Sequence, residues 1–410
     1  MSLIVDEHRE YLSDPARLDA YRRAIHDIVR PGMIVADIGS GTGILGLFAL
    51  AAGAARLYSI EATGMIEIAR ALAAVNGFRD RFHAIQSHSS EADLPERVDV
   101  IVSDFVGRFG FDADILEIYP DAAARLLKPE GQLLPSEISL SVAPVERADM
   151  HVQVRFWSEN RTGFDMTPAL EWATNTGYPV ELTPGDLLAD PVEAIRVQVR
   201  ERPGSPLRAN AQFVIRRAGI LHGIGGWSTA RLSAGVTLTN SPLAADRIKR
   251  RNVFLPLRAP LAVTPGDRVE LALAILPDQH IVNWTVSRAG AVGAVSRQAH
   301  STLGGMLTSR DDLVRADPDF VPALTPRGHG RLTVLQLCDG TRTLREIEDE
   351  VFARHRDLFT ARGEAAAFVA EVVSGYTLVR PPAKGGPTMP PAKSGAARPP
   401  EKSGPTTIRS

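Results

Sequence analysis

Residues 35–63, VADIGSGTGILGLFALAAGAARLYSIEAT, decide the fold. An apolar run over 33–38 leads into Gly39, Gly41 and Gly43, with Thr42 between the last two, and the apolar stretch beyond them has helical texture. A second apolar run, 56–60, ends in Glu61, and more helical texture follows over 64–76. Strand, glycine turn, helix and strand in this order form a βαβ unit, and such units build parallel sheets. The glycines let the backbone turn tightly and approach a ligand without a side chain in the way. Glu61, at the tip of the second strand, is placed to accept both ribose hydroxyls of an adenosyl ligand. Asp37, just before the loop, is placed to meet a positive amino group directly or through water. A dinucleotide's pyrophosphate would gain nothing from an acid there.

Outward from this stretch the pattern continues. Leu12, Leu18, Tyr21, Ile25, Ile28 and Val29 recur at roughly helical spacing over 7–30, until Pro31-Gly32 stops them. FHAIQS (82–87) and VDVIVSD (98–104) read as the third and fourth strands. From Gly131 to about Arg288 the texture changes to short β-rich runs between turns, with one short helical piece near 182–189, as in an antiparallel sandwich or barrel. Beyond 300, LTVLQLCDGTRTLREIEDEVFARH reads as helix, turn and second helix, the latter capped by Thr343 with Glu346 three residues on. Phe368, Val369, Val372 and Val373 mark one face of a further helix. The tail, with PPAKGG, PPAKSG and PPEKSG, has a composition that buries no core and is expected to be disordered.

The chain is therefore expected to be α/β in class. A lid helix and Rossmann-like domain occupy 1–130, a β-barrel 131–295, a small helical unit 300–380 and a disordered tail 381–410. Its 410 residues, 44% of them hydrophobic, allow several cores. The 46 basic against 48 acidic residues give no reason to expect a nucleic-acid or membrane-surface partner. One cysteine, Cys338, excludes an internal disulfide framework and a Cys-rich metal site, and no metal is expected. Cys338 reads as a buried helix residue in preference to a nucleophile. The first residues carry charges and no apolar segment of a secretory signal, and no run reaches the ~18–20 apolar residues that span a bilayer. A cytoplasmic location is the default expectation.

Residues 35–63 closely resemble motif I and post-I of the protein arginine methyltransferases. DPARLDAY (14–21) resembles that family's helical lid, whose arginine grips the carboxylate of S-adenosylmethionine; Arg17 takes that position, and His8, Glu10 and Asp14 fit the same lid. VDVIVSDFVG (98–107) is similar to the entry of its double-glutamate loop, and LLKPEGQLLPSEISLSVAPVE (126–146) to the crossing into its barrel. GIGGWSTARLSAGVTLTNSP and IVNWTVS resemble its tryptophan strand and its threonine-histidine-tryptophan loop. The resemblance implies a Rossmann-like domain plus a barrel, and S-adenosylmethionine as cofactor. Arg17, Asp37, Gly39, Gly41, Thr42 and Glu61 would hold it, with Ser90 and Glu91 of SHSSEAD (87–93) beside adenine.

The acceptor side departs from the family. Two carboxylates near a guanidinium localise its charge and orient the reacting nitrogen. Where the family has two glutamates, this chain has Asp104 and Ala113. Asp112 and Asp114 flank Ala113, Glu117 lies further on, and a one-residue shift of the loop would restore a pair. Acids in surface loops are otherwise simply solvated. The family's barrel-loop histidine is replaced by Asn283, which could still bond to Asp14, and Trp284 reads as an acceptor clamp or as barrel packing. Tyr11, in place of a lid methionine, would cover the methyl group or merely pack.

LTVLQLCDGTRTLREIEDEV (332–351) resembles a small winged-helix-like peptide-binding domain of pathways that modify ribosomally made peptides. By that resemblance the 300–380 unit would hold a leader peptide and raise the local acceptor concentration. The first functional expectation is an S-adenosylmethionine-dependent methyltransferase acting on a nitrogen, arginine favoured, of a peptide or protein. Alternatives are a small-molecule methyltransferase on the same fold and a catalytically silent peptide-binding protein. The family dimerises through a helical arm; none is visible between 146 and 200, so a homodimer rests on the resemblance alone.

Overall fold

The computed structural model describes residues 4–159, 162–289 and 295–377. The disordered-tail expectation for 381–410 lies outside them. The chain divides into two compact units, Met1–Leu307 and Thr308–Ser410.

The first unit opens with helices α1 (Ile4–Leu12) and α2 (Pro15–Ile28). Asp14 caps α2 and Pro15 follows at its first position, where a missing N–H costs nothing. Then come β1 (Ile34–Ile38), α3 (Ile44–Ala51), β2 (Arg56–Glu61), α4 (Met65–Val75), β3 (Phe82–Gln86), β4 (Val98–Val102), α5 (Ile115–Arg125) and β5 (Leu127–Leu134). The five strands pair in the order β3-β2-β1-β4-β5, all parallel. Strand β1 is apolar save for Asp37 and buried throughout because helices cover both faces of a parallel sheet. Edge strand β3 leaves His83 and Gln86 exposed. The order reverses between β1 and β4, and ligands of such sheets bind beyond the strand ends at that switch point.

The chain then enters β6 (Glu137–Val145), followed by α6 (Ala148–Arg155) and α7 (Leu170–Thr174). These two short helices form a helical insertion before β7 (Tyr178–Val180), which corrects the expectation that the segment has no arm. Helices of eight and five residues contain too few turns for periodicity to reveal them. The remaining strands are β8 (Val192–Gln198), β9 (Leu207–Val214), β10 (Gly219–Arg231), β11 (Thr237–Thr239), β12 (Asn252–Val263), β13 (Arg268–Leu276), β14 (Ile281–Ala289) and β15 (Val295–Ser301). They form two antiparallel sheets, β7-β12-β10-β6-β8 with β11 beside β10, and β15-β14-β13-β9. Among the described residues the ladder stays open between them, so the expected barrel is a pair of sheets sharing a core. Strand β13 shows the alternation this demands: Val269, Leu271, Leu273 and Ile275 are buried while Glu270 and Ala272 face out.

In the second unit, α8 (Arg310–Arg315) precedes α9 (Pro326–Leu337), α10 (Leu344–Arg354) and α11 (Arg362–Tyr376). Thr343 and Glu346 form the expected capping box of α10. Val334, Leu337, Ile347, Val351, Phe368 and Val369 build a separate core. Cys338 ends α9, partly covered, and burial raises its thiol pKa, which suits packing and not nucleophilic attack. This unit has no strand among the described residues, so the wing of a winged helix is not seen there.

Candidate active site

A cavity of about 870 Å³ opens at the switch point. Its floor is the glycine loop after β1, one wall is the segment after β4, and α1 and α2 lie across it. Gly39, Gly41 and Gly43 have φ of +63°, +52° and +75°, values that glycine alone adopts at no steric cost. Space also forbids a side chain: a Cβ on Gly39 would collide with the Phe105 ring, and one on Gly41 with the His8 ring. Glu61 takes the Gly41 N–H on Oε2 (2.9 Å) and the Thr63 N–H on Oε1 (2.8 Å). Its carboxylate is thereby fixed at the tip of β2, on the cavity wall, with lone pairs to spare. Gly39, Thr42 and Arg17 line the cavity too.

Asp37 differs from expectation. It is 1% exposed, does not line the cavity, and accepts the Gly46 N–H at 2.9 Å beneath the loop. Burial, with Glu61 near, raises its pKa to about 7. Oδ2 thus ties β1 to helix α3, while Oδ1 is buried without a hydrogen-bond partner. Ser90 and Glu91 are likewise off the cavity, which Ser87, His88 and Ser89 line instead. A turn in which the N–H groups of Glu91 and Ala92 both reach the His88 carbonyl carries the two residues away. Arg125, which sequence reasoning passed over, holds this segment by donating to the carbonyls of Ser89 and Ala92.

On the acceptor side, Asp104 follows β4 with its side chain 9% exposed. It forms an ion pair with Arg17, accepts the Tyr21 hydroxyl at 3.0 Å, and lies 3.4 Å from the Arg250 guanidinium. The same hydroxyl lies 3.0 Å from the Ser103 carbonyl. Burial pushes the Tyr21 pKa to about 12, so it stays a donor, and burial draws that of Arg17 down. Tyr11 lies under Arg17, 4.4 Å from the ring centroid to the guanidinium carbon, and so packs on the arginine.

Asp112 and Asp114 both line the cavity with different duties. Asp112 accepts the N–H groups of Arg108 (3.2 Å) and Phe109 (2.9 Å), bracing its own loop. Asp114, at φ +58°, stays exposed and lies 3.4 Å from His280. Glu117 faces away, 3.4 Å from Arg202.

Asn283 and Trp284 are corrections. Both lie within β14, Asn283 opposite Ala274 and Ser301, and neither lines the cavity. Trp284 is fully buried, stacks on His300 and donates from Nε1 to the Pro256 carbonyl at 3.0 Å; it is packing. The loop that meets the lid is 248–251: the Lys249 N–H donates to Asp14 Oδ2 at 2.7 Å, and Lys249 Nζ to the Ser13 carbonyl. The signal for it was the basic run Lys249-Arg250-Arg251 just before β12. The lone tryptophan after Asn283 drew the register to the wrong strand.

Residues 22–145 match the model of the ribosomal protein L11 methyltransferase family. Protein arginine N-methyltransferase 6 of Xenopus laevis is 31% identical over 256 residues, spanning 59% of this chain and 75% of that protein. The chain belongs to the protein arginine methyltransferase family. Protein arginine N-methyltransferase PRMT10 of rice (Oryza sativa subsp. japonica) is 38% identical over 144 residues, 35% of this chain and 38% of that one. In fold, this family member is similar to the Trypanosoma brucei PRMT1 enzyme–prozyme heterotetrameric complex with AdoHcy. There the TM-score is 0.66 at 22% identity, covering 72% of this chain and 97% of that one. Arabidopsis thaliana protein arginine methyltransferase 10 follows at 0.63, also 22% identical, with the same coverage of both chains. As a family member the protein is an S-adenosylmethionine-dependent methyltransferase. The left-handed glycines, the fixed Glu61 carboxylate and the cavity volume fit an adenosyl group. Among the described residues no helix is long and apolar enough to cross a membrane, and no cluster of metal-binding side chains occurs.

Proposed function

We propose that this methyltransferase modifies a guanidinium nitrogen of arginine in a peptide or protein. Bound S-adenosylmethionine supplies an electrophilic methyl group; Glu61 and the Gly39–Thr42 loop hold its adenosyl part, and Arg17 its carboxylate. Asp104 then orients the acceptor and localises its charge on the nitrogens that do not react. Asp114, which unlike Asp112 accepts no backbone N–H groups, is the second acceptor carboxylate. The carrying observation is Asp104, nearly buried beyond β4 on the wall it shares with the cofactor loop.

Mass spectrometry of arginine-containing peptides, incubated with the full chain and methyl-labelled S-adenosylmethionine, tests this. Label on arginine is the expected result. Label confined to another residue or to a small molecule, or no label at all, overturns it.

Three finer assignments accompany the reading. A homodimer would form through the α6–α7 insertion, whose Val152, Phe164 and Trp172 are exposed. The second unit would bind a leader peptide, supported by its separate core and by exposed Leu332, Leu335 and Leu344. A cytoplasmic setting is supported by the single, unpaired Cys338.

A further inference from the structure

Asp104 is shared by two guanidiniums of the chain itself, Arg17 and Arg250. Arg17 has a second duty toward the cofactor. Arg250 has none: its side chain is 16% exposed, and its Nη1 is buried without a hydrogen-bond partner. Around it the cavity mouth carries exposed charges of both signs, Glu10, Asp112 and Asp114 with Arg108, Lys249 and Arg251. Arg108 and Arg251 are exposed there, and among the described residues neither has an ion-pair partner. Of the loop acids, Asp112 is bound to backbone N–H groups, and Asp114 is the second acceptor carboxylate of the reading above.

A substrate guanidinium that reaches Asp104 competes with Arg250 for the same carboxylate. Left buried and unpaired, Arg250 would be costly, since a charge stripped of its partner in a low-dielectric site loses far more than a surface pair is worth. The cost disappears if the substrate brings its own carboxylate. The incoming guanidinium then pairs with Asp104, Arg250 turns to the substrate's acid, and neither guanidinium is left without a carboxylate. The exposed Arg108 and Arg251 favour the same substrates by attracting negative charge to the mouth.

Resting on the reading of arginine as acceptor, we infer that the enzyme selects arginines flanked by acidic residues, with Arg250 as the specificity-determining side chain. Basic flanks are rejected by the same charges.

The test uses the full-length protein and three fluorescent peptides, each with one arginine, flanked by aspartates, glycines or lysines. Binding is followed by anisotropy with S-adenosylhomocysteine present, and methylation by mass spectrometry. The aspartate peptide is expected to bind at least tenfold more tightly than the lysine peptide, and added salt to narrow the gap. Arg108→Ala/Arg251→Ala should lower the aspartate-to-glycine ratio of kcat/KM several-fold, and Arg250→Ala should lower it further. Equal binding of all three peptides, or preference for the lysine peptide, overturns the inference even if arginine is methylated. An unchanged ratio in Arg250→Ala removes Arg250 from the role. The failure of the acceptor reading looks different: the aspartate peptide binds selectively, and no arginine in any peptide takes label.

Discussion

The Asp14 carboxylate accepts the Lys249 backbone N–H at 2.7 Å across 235 residues of sequence, while its other oxygen caps helix α2 through the Arg17 N–H at 3.4 Å. One side chain thus sets where the lid helix begins and pins the 248–251 loop, which carries Arg250, against it. Asp14→Ala should lower stability by about 2 kcal/mol, from a lost cap and a lost charge-assisted bond. Asp14→Asn, which still accepts at one oxygen, should recover about half. Thermal denaturation of the three proteins checks this, and equal melting temperatures would remove Asp14 from the pin.

Glu61→Ala should abolish cofactor binding. The variant loses the proposed ribose acceptor and frees the Gly41 and Thr63 N–H groups that shape the loop. Calorimetric titration with S-adenosylhomocysteine should show no heat of binding. Unchanged affinity would remove the ribose assignment.

Tyr21→Phe keeps the buried ring and deletes the hydroxyl that reaches Asp104 and the Ser103 carbonyl. The expected result is a fall of about tenfold in kcat, of the size of one hydrogen bond to a charged group, with cofactor affinity nearly unchanged. A loss confined to cofactor binding would contradict the placement of Tyr21 behind the acceptor carboxylate.

Asp104→Asn retains shape and removes the charge. Cofactor binding should persist while kcat on an arginine peptide falls at least a hundredfold. Full activity would take Asp104 out of the acceptor role.

Asp37 makes stability depend on pH. Its folded pKa, about 7, stands above the ordinary value of 3.8, so between these pH values the folded state holds a proton that the unfolded chain has released. Stability therefore falls as pH rises from about 4 to 7 and levels off above. Asp37→Asn should melt with a flatter pH dependence over that window, since the amide oxygen still accepts the Gly46 N–H. A parallel dependence in both proteins would mean that Asp37 is ionised in the fold.

The local half of the site was legible because local chain chemistry builds it. Glycines needing positive φ, an acid at a strand tip and an apolar run before each turn are constraints that neighbouring residues impose on one another. The parallel sheet, the glycine loop, Glu61 at its strand tip and the capping box of α10 all follow from such short-range patterns, whereas Asp104 was singled out by the family resemblance. Ser90 and Glu91 came from the resemblance, and one hydrogen-bonded turn at His88 decides that Ser87, His88 and Ser89 line the cavity in their stead.

What the tertiary structure alone decided is which distant residues meet. Sequence carried no measure of whether Asn283 or Lys249 approaches Asp14, because a strand's place in an antiparallel sheet depends on pairing with partners tens of residues away. Burial of Asp37, the stacking of Trp284 on His300, and the convergence of Arg17, Tyr21 and Arg250 on Asp104 are of the same kind. Each depends on long-range packing that removes water from a polar group and leaves it only the partners that the fold brings near.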